Sequence, residues 1–204
     1  MPTSARRAQS STPPTRRKHE MRILVIGSCG AGKTTLARAI ADRHHLPVIH
    51  LDQHYWRPAW VAPSDAEWRV QVARLAAQPR WVMDGNYSGT LPQRIVLADA
   101  IVYLDMPRWL CLLRVLRRTL FGFGRPRADV APGCPERFDP KFILWVWNYP
   151  RRSRPKTLRL LETTAKPVVV LNSPAAVRRW IGAGMPLRAP AETPTTGLLQ
   201  KNGK

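Results

Sequence analysis

Lys33 and Thr34 close the run Gly27-Ser28-Cys29-Gly30-Ala31-Gly32-Lys33-Thr34, the spacing of a phosphate-binding P-loop. Glycines in such a loop let backbone N–H groups curl around phosphates without Cβ obstruction, and a helix must begin at once so that its positive end faces the anion. Lys33 would reach the β/γ-phosphates and Thr34 would hold Mg²⁺, with Thr35 in the same first helical turn. The chemistry implied is binding of a nucleoside triphosphate, ATP with Mg²⁺.

Phosphoryl transfer also needs carboxylates, one for the metal shell and one to position a nucleophile. Asp52, Asp84 and Asp105 each follow a short apolar run, which would put them at the C-terminal ends of strands, where open parallel sheets bind ligands. Asp84 and Asp105 both qualify for the metal. Spacing slightly favours Asp105, whereas Gly85 permits close backbone approach beside Asp84, and either could instead cap a following helix. Asp52, beside Tyr55, Trp56 and Trp60, is the candidate for orienting or deprotonating an acceptor hydroxyl, with those aromatics as an acceptor pocket or merely as cover for a small core. Asn172-Ser173 ends the last strand.

Charge points the same way. The formal net charge is +20, and Arg dominates the segment from Arg108 to Arg159. Arg114, Arg117 and Arg118 precede an irregular stretch, about 119–138, and Arg151, Arg152 and Arg154 follow it. A lid hinged on arginines would stabilise charge on a transferring phosphoryl group and exclude water, with Arg118, Arg151 and Arg154 as its catalytic cations. The rival use of clustered Arg with Trp145, Trp147 and Tyr149 is contact with a nucleic-acid backbone.

The elements that must position these groups alternate between strand and helix from residue 22 to 182, which predicts an α/β fold with a mainly parallel sheet. Strands are expected at 22–26, 47–51, 80–83, 100–104 and 168–171. The segment 52–63 reads as a loop, and Ser64-Asp65-Ala66-Glu67 has capping-box spacing before a helix to Ala77. A helix near 91–98 follows. Leu110, Leu113, Leu116 and Leu120 recur at helical spacing over 107–120, and Phe121 to Pro126 ends that helix before a stretch expected to be irregular and mobile. Pro150 and Pro155 should interrupt or kink a further helix, and 174–181 forms the closing one.

With 204 residues, one domain at 21–183 is expected between basic or Pro-rich tails at 1–20 and 184–204, whose composition disfavours order. Met21 directly precedes the first strand and is a candidate natural start. No apolar run of eighteen residues and no secretory h-region is present, so a soluble cytoplasmic protein without membrane contact is expected. Cys29, Cys111 and Cys134 offer neither a disulfide framework nor a zinc pattern.

Several motifs together resemble a known family. The P-loop, His50-Leu51-Asp52, Asp84-Gly85-Asn86-Tyr87-Ser88, Asp105-Met106-Pro107-Arg108-Trp109, Gly133-Cys134-Pro135-Glu136-Arg137 and the run Trp147 to Pro155 are similar to the bacterial adenylate-kinase-like proteins labelled DNA topology modulation, or FlaR-like, proteins. The resemblance covers residues 21–182. It implies a P-loop NTPase fold of the nucleoside monophosphate kinase and shikimate kinase type, three layers around a five-stranded parallel sheet, with a substrate insertion after the second strand and a lid. It also implies Asp84 at the Mg²⁺ shell, Arg94 as an acceptor-binding residue, and Asn172-Ser173-Pro174 beside the adenine. Asn86-Tyr87-Ser88 departs from the Phe-Pro-Arg of adenylate kinases, which puts AMP as acceptor in doubt, and Cys134 alone cannot make a zinc-bearing lid. The activity expected is transfer of the γ-phosphate of Mg-ATP to a small-molecule or nucleotide acceptor, by a monomer or dimer. The alternative is a DNA-associated ATP-binding regulator, with weak nucleic-acid binding through the basic segments.

Overall fold

The computed structural model describes residues 21–187. The N-terminal tail and most of the C-terminal one lie outside the described residues. Residues 184–187 were grouped with that tail by composition, yet they finish the core. Met185 is buried, and Trp180 Nε1 donates to Pro186 O at 3.1 Å.

Five parallel strands form one sheet, β1 (Met21–Gly27), β2 (Val48–His50), β3 (Arg80–Asp84), β4 (Ala100–Leu104) and β5 (Val168–Leu171), in the order β2-β3-β1-β4-β5. Strands covered on both faces are apolar throughout instead of alternating with polar residues. In β1, Ile23 and Val25 enter one core while Leu24 and Ile26 enter the other. The first core is closed by α1 (Lys33–His44), α5 (Arg108–Gly122), α6 (Pro140–Arg152) and α8 (Pro174–Gly182). The second is closed by α2 (Leu51–Tyr55), α3 (Asp65–Ala76), α4 (Leu91–Leu97) and α7 (Arg154–Glu162). The connections from β1 and β3 run to opposite sides of the sheet, so a crevice opens beyond Gly27, Asp84 and Leu104.

Three local features depart from the sequence pattern. The segment 52–63 is not simply a loop: α2 starts at Leu51, and a 3-10 turn at Pro58–Trp60 is closed by the Arg57–Val61 bridge. On α5 the buried face is Cys111, Val115 and Thr119, leaving Leu113, Leu116 and Leu120 exposed. Pro150 sits within α6, and the chain breaks at Ser153 before Pro155 enters the first turn of α7, where its missing N–H is harmless.

The irregular stretch expected at about 119–138 begins later, because α5 runs to Gly122; residues 123–139 contain no helix or strand, and they are tied down. Gly124 N donates to Glu136 O and Glu136 N to Arg125 O, at 2.9 and 3.0 Å. Val130, Ala131 and Cys134 pack on Trp56 and Trp60 in a small third core.

Candidate functional site

The P-loop spans the β1–α1 turn. Gly30 (φ 78°) and Gly32 (φ 98°) take the left-handed conformation, and a Cβ on Gly30 would overlap the backbone of Cys111. Arg114 braces the loop from α5, its Nη1 donating to Gly30 O and Ala31 O at 3.3 Å. Ser28 and Ala31 are buried, while Gly32, Lys33, Thr34 and Thr35 face a cleft of about 320 Å³. Lys33 Nζ donates to Ser28 O at 2.9 Å. Burial pushes the Cys29 thiol up, so it stays protonated at neutral pH.

Between the two candidate metal carboxylates, geometry separates sharply. Asp84 is buried, and its Oδ2 accepts from Thr34 Oγ1 at 2.9 Å while Oδ1 lies 2.6 Å from His50 Nδ1. Asp105 instead accepts two bonds from Arg154, from Nε and Nη2, each at 2.8 Å. That pairing occupies Arg154 as well, so the guanidinium expected over the phosphates is held beyond the end of β4 instead. Arg151 is exposed on α6 and lines neither the cleft nor the cavity beside it.

Asp52 sits in the first turn of α2, on the border of the phosphate cleft and a second cavity of about 460 Å³. Its Oδ1 accepts from Tyr87 OH at 2.6 Å. Burial, and then the Asp52 charge, push the Tyr87 phenol up, so it remains a donor. Trp56 packs edge-on against Tyr55 and Trp60, with ring centroids 4.8 and 5.3 Å away. Gly85 (φ 137°) passes so close to Leu51 that a side chain would collide.

Arg94 corrects an expectation. It is fully buried, and its guanidinium donates to Gly85 O, Asn86 O and Tyr87 O at 3.0, 3.1 and 2.9 Å. Burial pulls it down to about 9, still protonated at neutral pH. Its role is to hold the turn carrying Tyr87. Asn172 is exposed and Ser173 caps α8, accepting from Ala176 N at 3.1 Å, so neither lines the two cavities.

The charged cluster above the cleft was not assigned from sequence beyond Arg118. Arg118 Nε lies 3.2 Å from Glu136 Oε2, and Arg127 pairs with Asp129 at 2.5 Å and with Glu136 at 3.3 Å. Asp129 Oδ2 also lies 3.3 Å from Thr34 Oγ1. Burial raises the Asp129 carboxyl, but Arg127 outweighs it and the net shift is downward, so the group is ionised. Asp129 and Glu136 are rare acids in a basic segment. Asp129 has its partner Arg127 two residues away, whereas the pairings of Glu136 with Arg118 and Arg127 need the chain to fold back between Gly124 and Glu136.

No protein-family model matches the chain. Over 113 residues, 50% of this chain, it is 32% identical to a bifunctional pantoate ligase/cytidylate kinase of Synechococcus sp. (strain JA-2-3B'a(2-13)). The match spans 20% of that relative's length. Among solved structures it is similar to shikimate kinase from Acinetobacter baumannii in complex with shikimate, at 17% identity and a TM-score of 0.51, over 80% of this chain and 90% of that one. Shikimate kinase from Bacteroides thetaiotaomicron aligns at 17% identity and a TM-score of 0.49, over 80% and 97%. The fold is therefore the α/β kinase-like P-loop NTPase fold that the motifs implied. No helix among the described residues is long and apolar enough to cross a membrane.

Proposed function

We propose that the chain is an ATP-dependent phosphotransferase whose acceptor enters the cavity beside the P-loop. The observation that carries this reading is the 2.9 Å bond from Thr34 Oγ1 to Asp84 Oδ2, at the point where a P-loop helix meets the end of β3. A hydroxyl and a buried carboxylate are hard oxygen donors that suit Mg²⁺, and the protonated Cys29 thiol does not compete. When bound, the metal would neutralise charge on the β/γ-phosphates.

Each residue then has a task. The loop Gly27–Thr34 and Thr35 cradle the phosphates of ATP, and Lys33 exchanges Ser28 O for phosphate oxygens. Arg118 and Arg127, which face the cleft, stabilise charge on the transferring group, while Asp52 positions the acceptor hydroxyl. The segment 123–139 acts as the lid. The likeness of half the chain to a ligase/cytidylate kinase and the kinase-like fold support this reading.

A second reading is favoured by one surface. Arg108 lies over the Trp147 ring at 4.1 Å and Arg117 over Phe121 at 5.7 Å, an exposed Arg-aromatic face on α5 and α6 of the kind that meets nucleic-acid backbones. The motif resemblance to topology-modulation proteins supports it, as a DNA-associated ATP-binding regulator.

One experiment separates them: ADP release from Mg-ATP across small-molecule acceptors and duplex DNA, beside Lys33→Ala. The phosphotransferase reading expects acceptor-stimulated release that falls about 10²- to 10³-fold in the variant. Equal turnover by Lys33→Ala would sink it. Stimulation by DNA alone, with log affinity falling against log salt, would favour the regulator.

A further inference from the structure

We infer that the acceptor is a nucleoside, a neutral planar heteroaromatic ring carrying an aliphatic hydroxyl. The inference rests on the phosphotransferase reading and assigns the substrate class of the same site.

The acceptor cavity and the phosphate cleft share Cys29, Lys33, Asp52, Gly85, Arg118 and Arg127. One end of the acceptor therefore meets the transferring phosphoryl group beside Asp52. A carboxylate at that junction repels a phosphate acceptor and accepts a proton from a hydroxyl. In the step, the acceptor oxygen bonds to Pγ, the bond from Pγ to the β,γ-bridging oxygen breaks, ADP leaves, and the hydroxyl proton passes to Asp52.

Beyond the shared residues, the cavity is lined by aromatic side chains from two parts of the chain. Trp56, Trp60 and Tyr87 come from the α2 side, and Phe142 and Trp145 come from α6, their rings stacked within 10° of parallel. An aromatic lining suits a flat ring, since every nucleobase presents a π-face to stack. A sugar acid or a nucleotide phosphate would need a spare cation instead. Arg118 and Arg127 serve the transferring phosphoryl group, balanced by Glu136 and Asp129, and Arg137 lies 3.9 Å from Asp139 and over Trp60, so no arginine of the cavity is left over for an anion on the acceptor. Asn86, Ser88 and Ser153 remain along the wall as polar groups for the edge of a base.

The test uses the full chain with Mg-ATP and four acceptor sets: nucleosides, the matching nucleoside 5′-monophosphates, 5′-deoxynucleosides, and the sugar acids shikimate and gluconate. Calorimetric binding and ADP release are both read, with Lys33→Ala in parallel. We expect at least one nucleoside to bind and to drive Lys33-dependent release, its 5′-deoxy analogue to bind without release, and its monophosphate to be a poor acceptor. Trp56→Leu should raise the nucleoside KM about tenfold with ATP affinity unchanged, Trp56→Phe should recover most of that loss, and Trp145→Leu on α6 should repeat it should Trp56→Leu fold poorly. Lys33-dependent release with a sugar acid or monophosphate and with no nucleoside overturns the acceptor class and leaves the phosphotransferase standing. Absence of Lys33-dependent release with every acceptor overturns the phosphotransferase reading and this inference with it.

Discussion

The floor of the site and its cover are built on opposite plans. The floor, β1 to α1 with Asp84 beside it, is one continuous strand-turn-helix whose phosphate-facing groups are neighbours in the chain. The cover is assembled across long separations: Gln53 Nε2 donates to Ala128 O at 2.5 Å, Ala59 N to Gly133 O at 2.9 Å and Trp60 Nε1 to Pro135 O at 3.0 Å. Small apolar residues, Val130, Ala131 and Cys134, fill its core. A triphosphate is the same in every enzyme that uses it, so a local motif suffices to bind it. An acceptor is particular, and the cavity proposed to take it is lined by segments that meet only in the folded chain.

The contrast is broken most severely at glycine. Gly30 in the floor and Gly124 in the cover share the left-handed conformation, with φ of 78° and 71°, but a Cβ meets the Cys111 backbone at Gly30 and nothing within 4 Å at Gly124. Gly124→Ala should lose about 1–2 kcal/mol for the backbone conformation alone. Gly30→Ala carries that loss plus about 1–3 kcal/mol of overlap, and it should also abolish ATP binding because the loop must shift. Denaturant melts and ATP calorimetry on the pair would check this; equal losses would show that the floor is as yielding as the cover.

A milder cut goes through the cover. Glu136 is buried, accepts from Thr119 Oγ1 at 2.9 Å and faces both Arg118 and Arg127. Glu136→Gln keeps the shape and removes the charge, for an expected loss of about 1–3 kcal/mol. Amide exchange over 123–139 should accelerate while β1 and α1 keep their protection, because the cover opens locally. Acceleration in both regions would make them one cooperative unit and erase the distinction.

Legibility in sequence follows the same division. The P-loop could be read because its function requires contiguous residues, and the strands could be read because burial on both faces makes them apolar runs. Between Asp84 and Asp105 the sequence leaned both ways, spacing toward Asp105 and Gly85 with the family resemblance toward Asp84; in the fold Thr34 bonds Asp84 and Arg154 holds Asp105. Arg94 was assigned to the acceptor by motif position, yet the turn after Gly85 brings three carbonyls to it and buries it. The leucine spacing on α5 located the helix without revealing that Cys111 and Val115, one step round, form its buried face. Glu136 had no local signal for its partners, since Arg118 to Glu136 closes only when Gly124 and Glu136 pair.

The smallest effect lies at the outer support of the cover, where α3 places Trp68 against Tyr55 and Tyr87, with centroids 4.9 Å from each. Its start is a capping box: Ser64 Oγ accepts from Glu67 N at 3.3 Å and Glu67 Oε2 accepts from Ser64 N at 2.8 Å. Ser64→Ala should lower stability by about 1 kcal/mol. The Ser64 backbone bond, then the Ser64 hydroxyl and Arg57, hold the Glu67 carboxyl below its ordinary value of 4.5. A depressed carboxyl stabilises the fold above that value and loses its contribution as pH falls through the lower, folded-state one. The gap between wild type and Ser64→Ala in urea melts should therefore narrow from pH 7 to pH 3, as the protonated Glu67 no longer completes the box. A gap that stayed constant would mean that Ser64 acts through its own hydroxyl on the helix end, and that the acid three residues on contributes nothing to holding the aromatic wall.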